Sequence, residues 1–162
     1  MNDTGSKLGK IVSNLQSLEC LLRMFLKEAN GESASTQYFN LKVNDEVSED
    51  SFTNYDTLDQ LIKKYNAHVS VVDKALCISA KVVPLRDALA HGRVFSTNPS
   101  PGHPSQLLKF DKPVNGKVKV THSEEMNSDW YEKNIDLTFK QIERVINGGK
   151  ALDLNAFKPT II

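Results

Sequence analysis

The sequence predicts an all-α fold, a roughly four-helix bundle with a small inserted β-hairpin. Three observations predict it. Apolar residues recur every three or four positions through several long stretches, the period of an amphipathic helix. One region alone, around residues 104 to 122, switches to strict alternation about an Asn-Gly pair. The chain is also short enough, at 162 residues, for one domain to be the natural expectation over 1–162, and long enough to bury a core without staples.

The elements follow in order. Residues 1 to 6 are polar and expected to fray. Residues 7 to 30 carry Leu8, Ile11, Val12, Leu15, Leu18, Leu22, Phe25 and Leu26 on one helical stripe, and Asn30-Gly31 supplies a stop. Residues 31 to 53 read as a polar loop, with a short extended piece at 38 to 43. Asn54 or Asp56 is expected to cap a short helix over Leu58, Leu61, Ile62 and Tyr65.

A buried helical element is expected over residues 69 to 95, with Asp73 as its cap and a strand open as an alternative at its very beginning. Pro84 should kink or restart it, and Gly92 occupies the place of a left-handed C-cap. Pro99, Pro101, Gly102 and Pro104 mark a surface loop. The alternating residues on either side of Asn115-Gly116 form the hairpin. Ser128 opens the last helix, which Gly148-Gly149 is expected to end.

Composition narrows the function classes. Twenty basic and twenty acidic residues leave no net charge, unlike a nonspecific DNA coat or a cationic membrane binder, although a local basic site remains compatible. Cys20 and Cys77 are far apart, with neither metal-ligand spacing nor a disulfide framework, and are expected as buried free thiols of a reducing compartment. No signal-peptide pattern and no apolar run of about 20 residues is present, so a cytoplasmic protein without a membrane partner is expected. His68, His103 and His122 are scattered and read as loop or surface residues. No metal and no cofactor are expected. Lys109, Lys112, Lys117 and Lys119 on the hairpin read first as residues that keep an edge strand soluble, and second as contacts to a nucleic-acid backbone.

One segment concentrates chemistry. Only four arginines stand among the basic residues, and two of them, Arg86 and Arg93, flank His91. A planar guanidinium grips phosphate or carboxylate where lysine would serve equally well as a solvated charge. At about 100° per residue, Asp87 and His91 lie on one helix face, whereas Arg86 lies well round the helix from His91. One helix alone presents Arg86 and His91 divergently; a second copy across a two-fold axis would bring them together. His91 also falls in the last helical turn, where the helix dipole favours the imidazolium form.

The run Arg86-Asp87-Ala88-Leu89-Ala90-His91 resembles the Arg-x4–6-His signature of HEPN domains, including the polar residue that frequently follows the arginine. The His-Gly-Arg ending and the late placement on a bundle helix look similar too, and Leu15-Gln16, Glu19 and Arg23 resemble the opening helix of some bacterial HEPN-like proteins. The resemblance covers the helical part, about two thirds of the chain. It implies a homodimeric, metal-independent endoribonuclease acting on RNA. In it, His91 would be the general acid or base, Arg86 would stabilise the charged phosphorane, Asp87 would orient one of them, and Arg93 would hold a flanking phosphate. It further implies a role in bacterial stress, toxin–antitoxin pairing or phage defence, with room for a cognate regulatory partner. Arg93 stands where some toxin members carry a Tyr. The competing expectation is a catalytically inactive HEPN-like dimerisation, binding or regulatory module.

Overall fold

The structure, a computed structural model, describes residues 4–32, 38, 40–96 and 103–158. Four α-helices and a three-stranded antiparallel sheet make up its regular structure: α1 (Thr4–Ala29), α2 (Leu58–Val69), α3 (Val82–His91), β1 (Arg93–Phe95), β2 (Ser105–Phe110), β3 (Val120–Met126) and α4 (Ser128–Ala151). The fold is therefore mixed α and β. The all-α expectation fails because the sheet is larger than one inserted hairpin: it has the order β1-β2-β3, and β1 comes from the stretch read as helix.

The reason is local. The helix stops at His91, Gly92 turns extended, and the β-favouring Val94 and Phe95 pair with β2 in the register Arg93↔Leu108, Val94↔Leu107, Phe95↔Gln106. β2 pairs in turn with β3, from Ser105↔Met126 to Lys109↔His122, with a register shift at Lys109/Phe110. At the hairpin tip Val114 and Lys117 exchange backbone hydrogen bonds of 2.8 and 3.0 Å. Asn115 (φ 50°) and Gly116 (φ 72°) both take positive φ there, as a two-residue type I′ turn requires.

The chain groups into two compact units. The first comprises Met1–Leu15 and Lys81–Phe139, so it holds α3, the sheet, the start of α1 and the first half of α4. Its buried side chains include Ile11, Leu15, Val82, Leu85, Ala88, Leu107, Met126, Trp130 and Tyr131. Asn14 of α1 donates to the Thr138 hydroxyl of α4 at 3.0 Å. Pro84 neither kinks nor restarts α3; it is the third residue of the helix, in the first turn, where its missing N–H has no helical partner to lose.

The second unit comprises Gln16–Ala80 and Lys140–Ile162. Leu18, Leu22, Phe25, Leu26, Leu58, Leu61, Ile62, Tyr65, Val69, Val145 and Phe157 are buried in it. Phe25 meets Tyr65 edge-on, with ring centroids 4.7 Å apart. The cap of α2 is Thr57, not Asn54 or Asp56: Thr57 Oγ1 accepts from the Gln60 amide at 3.3 Å, and Gln60 Oε1 accepts from the Thr57 amide at 2.8 Å, a capping box. Asp73 caps only a short 3-10 turn, Lys74–Leu76. The element read over residues 69 to 95 is thus the end of α2, this turn, α3 and β1.

Gly148 and Gly149 do not end α4, which continues to Ala151. A Cβ on Gly148 would lie 2.3 Å from the Tyr65 hydroxyl oxygen, and one on Gly149 would lie 2.2 Å from Phe157 Cγ. Both glycines are close-approach residues, and the packing they permit outweighs their poor helix propensity. The thiol expectation is also corrected: Cys20 is exposed on α1, and Cys77 is half-buried after the 3-10 turn; both are free. No strand forms at the described positions of 38 to 43, and α1 begins at Thr4 rather than residue 7. Residues 97–102, which include most of the expected Pro-rich loop, and the tail beyond 158 lie outside the described residues.

Candidate functional site

The candidate site lies in the first unit, at the junction of α3 and β1. Leu85 and Ala88 bury one face of α3, leaving Arg86 and Asp87 partly exposed and His91 exposed on its last turn. The Gly92 amide closes the helix by donating to the Ala88 carbonyl at 2.7 Å. Its φ of −81° and ψ of −176° are extended, so the expected left-handed C-cap is not formed. Glycine is required for a different reason. A Cβ at this position would lie 2.3 Å from the Ala88 oxygen, 2.8 Å from the Leu108 oxygen and 3.2 Å from Leu107 Cδ1. The helix end is pressed against the backbone of β2, which fixes where His91 and Arg93 emerge on either side.

Asp87 faces two cations. Its Oδ2 accepts from Lys109 Nζ of β2 at 3.2 Å, and its Oδ1 lies 3.7 Å from Arg86 Nη1. Among the described residues no hydrogen bond joins Asp87 to His91, although the two are a helical turn apart. Of the two side chains that Asp87 was expected to orient, Arg86 is the one within ion-pair distance. Arg93 is exposed on β1, with its guanidinium carbon 5.4 Å from the centroid of the Phe110 ring, a cation–π arrangement.

Lys109 leads to a polar cluster that the sequence reading did not find. On β3 the alternate residues His122, Glu124 and Met126 turn toward the side of the sheet where Leu107 is buried. The Trp130 indole N–H donates to Glu124 Oε2, and His122 Nε2 lies 3.6 Å from that same oxygen. His122 Nε2 is buried without a hydrogen-bond partner among the described residues, so this histidine is not the surface residue expected. The alternation at 122, 124 and 126 was the available signal. It was masked because the inward positions are polar.

The other expected features are placed elsewhere. His103 is exposed, and His68 packs edge-on to Phe25 in the second unit, with centroids 6.0 Å apart. Lys112, Lys117 and Lys119 are exposed near the hairpin tip. Arg23, part of the first-helix resemblance, pairs with Glu19 at 3.2 Å and donates to the carbonyls of Asn54 (2.8 Å) and Asp56 (2.9 Å), which anchors the chain leading into α2. Among the described residues, no helix is long and apolar enough to cross a membrane. Compared with known protein families, with curated proteins and with solved structures, the chain matches none.

Proposed function

We propose that the α3–β1 junction is the active site of a HEPN-like, metal-independent endoribonuclease that works as a homodimer in the cytoplasm. The observation that carries this reading is the clamped Gly92, with an exposed imidazole immediately before it and an exposed guanidinium immediately after. An acid–base group and a phosphate-gripping group are thereby held on a rigid junction, as a catalytic constellation requires.

In the reaction, His91 accepts the proton of an RNA 2′-hydroxyl as its oxygen attacks the adjacent phosphorus. The P–O5′ bond breaks, the departing 5′-oxygen takes a proton from solvent water, a 2′,3′-cyclic phosphate remains, and His91 returns its proton to solvent. Arg86 stabilises the charge on the phosphorane, and Asp87, itself held by Lys109, steadies that guanidinium. Arg93 holds a flanking phosphate. Because Arg86 and His91 diverge around one helix, the partner of His91 is Arg86 of a second copy. A role in bacterial stress or defence, with a cognate regulatory partner, accords with this chemistry.

The test is cleavage of mixed single-stranded RNA in EDTA, beside a His91→Ala variant. Chelator-resistant cleavage that the variant reduces by about 10²-fold or more supports the reading. Equal background in both proteins overturns it in favour of a non-catalytic dimerisation or regulatory module.

A further inference from the structure

We infer that the face of the sheet turned away from α3 is a stacking platform for single-stranded RNA. This rests on the reading above for its substrate class and adds how the strand is held. Leu107 is buried and Lys109 bonds to Asp87, so alternate residues of β2 define the face toward α3. The register then places Arg93 and Phe95 of β1 on the opposite face, with Leu108 and Phe110 of β2 and Ser123 of β3. Phe95 is 43% exposed, and Phe110 lies half-buried beneath the Arg93 guanidinium.

Two flat groups therefore follow one another along β1 on this face, the Phe95 ring and the Arg93 guanidinium, and the guanidinium is backed by the Phe110 ring of β2. Bases stack on aromatic rings and on guanidinium planes alike. Residues two apart on a strand are about 7 Å apart, twice the roughly 3.4 Å spacing along one strand of a duplex. The spacing suits an extended strand with its bases splayed and does not suit a stacked duplex. Charge agrees with this polarity. Exposed Lys112, Lys117 and Lys119 lie beyond the Phe110 end, whereas Glu125 lies opposite Gln106 in the row of Phe95. A strand whose bases cross the sheet would run its phosphates toward the lysines and away from Glu125.

The experiment measures binding without cleavage. A labelled single-stranded RNA is titrated by fluorescence anisotropy at low salt against the full chain carrying His91→Ala, and the same RNA annealed to its complement serves as the duplex control. Adding Phe95→Leu, which keeps apolar bulk but removes the ring, should weaken single-strand binding by about fivefold or more. Adding Phe95→Tyr should leave it within about twofold, and the duplex should bind more weakly than the single strand. Thermal unfolding of each variant separates lost binding from lost folding. No detectable single-strand binding, equal affinity for the duplex, or an unchanged affinity in a folded Phe95→Leu protein overturns the platform. If the unmodified chain cleaves RNA while Phe95→Leu leaves binding unchanged, the platform alone fails. If binding depends on Phe95 but no cleavage occurs, the ribonuclease reading alone fails.

Discussion

Lys27 is 2% exposed, a placement that lysine tolerates only when its charge is met. Its Nζ donates to the Tyr38 hydroxyl at 2.7 Å and to Asp50 Oδ2, which also accepts from the Tyr38 hydroxyl. Burial alone would push the Asp50 carboxyl up. The bonds from Lys27, Tyr38 and the backbone amides of Thr53 and Phe52 outweigh it and hold the group well below its ordinary 3.8. Burial would likewise lower Lys27, but Asp50 and Tyr38 outweigh it and raise the group above 10.5. The signs follow. The Asp50 contribution to stability is fully present above about pH 4 and is lost as pH falls toward its depressed folded value; the Lys27 contribution is present below 10.5 and is lost as pH rises through its raised folded value. Replacing Asp50 with Ala strands a buried ammonium and should cost about 3–5 kcal/mol in urea unfolding at neutral pH. The same variant should lose less stability than the unmodified chain between pH 5 and 2. Equal acid sensitivity in the two proteins would remove Asp50 from this role. Nothing in the sequence marked this triad, because a lysine on a helical stripe and an aspartate in a polar loop are ordinary surface residues until tertiary structure joins them.

At the scale of elements, the junction of α3 and β1 is where sequence and structure part most clearly. The residues 85 to 94 were legible as the chemically dense segment, and Gly92 was legible as a helix terminus. Its full reason was not, because besides the Ala88 oxygen one turn back, the Leu108 carbonyl that crowds a side chain there comes from a strand, 16 residues further on. Gly92→Ala has an allowed φ of −81°, so its effect isolates crowding from backbone strain. Displacing α3 from β2 should cost about 1–3 kcal/mol and shift the urea midpoint downward. An unchanged midpoint would mean that the junction yields freely and does not hold His91 and Arg93 in place. The glycines of α4 carry the same lesson in reverse: Gly148-Gly149 read as a stop, yet the helix continues because only glycine admits Tyr65 and Phe157 so closely.

At the scale of the whole molecule, α1 and α4 each contribute to both compact units, while α3 and the sheet belong to one and α2 to the other. The proposed chemistry adds a further level, since Arg86 and His91 diverge on one helix. Arg86→Ala and His91→Ala proteins should each be inactive, whereas their mixture, after subunit exchange, should cleave RNA above the sum of the two alone. The mixed dimer holds one intact Arg86 and one intact His91, on different chains. No recovery in a mixture that sedimentation shows to be dimeric would place both groups on the same chain.

The sequence by itself determined α1, α2 and α4 with approximate starts, the tight turn at Asn115-Gly116, and the segment in which Arg86, Asp87, His91 and Arg93 are concentrated, while α3 begins at Val82 rather than near residue 69. These are properties of neighbours along the chain: the 3.6-residue period, the positive φ that Asn and Gly accept, and the scarcity of arginine. Only the tertiary structure decided that Arg93 begins a strand, that Asp87 belongs to Lys109, that the Nε2 of His122 is buried near the Glu124 carboxylate held by Trp130, and that Lys27 is a core residue. Each of those outcomes depends on a partner from another element. A short strand of three residues, or a polar group turned inward, acquires its place from what packs against it rather than from its own pattern.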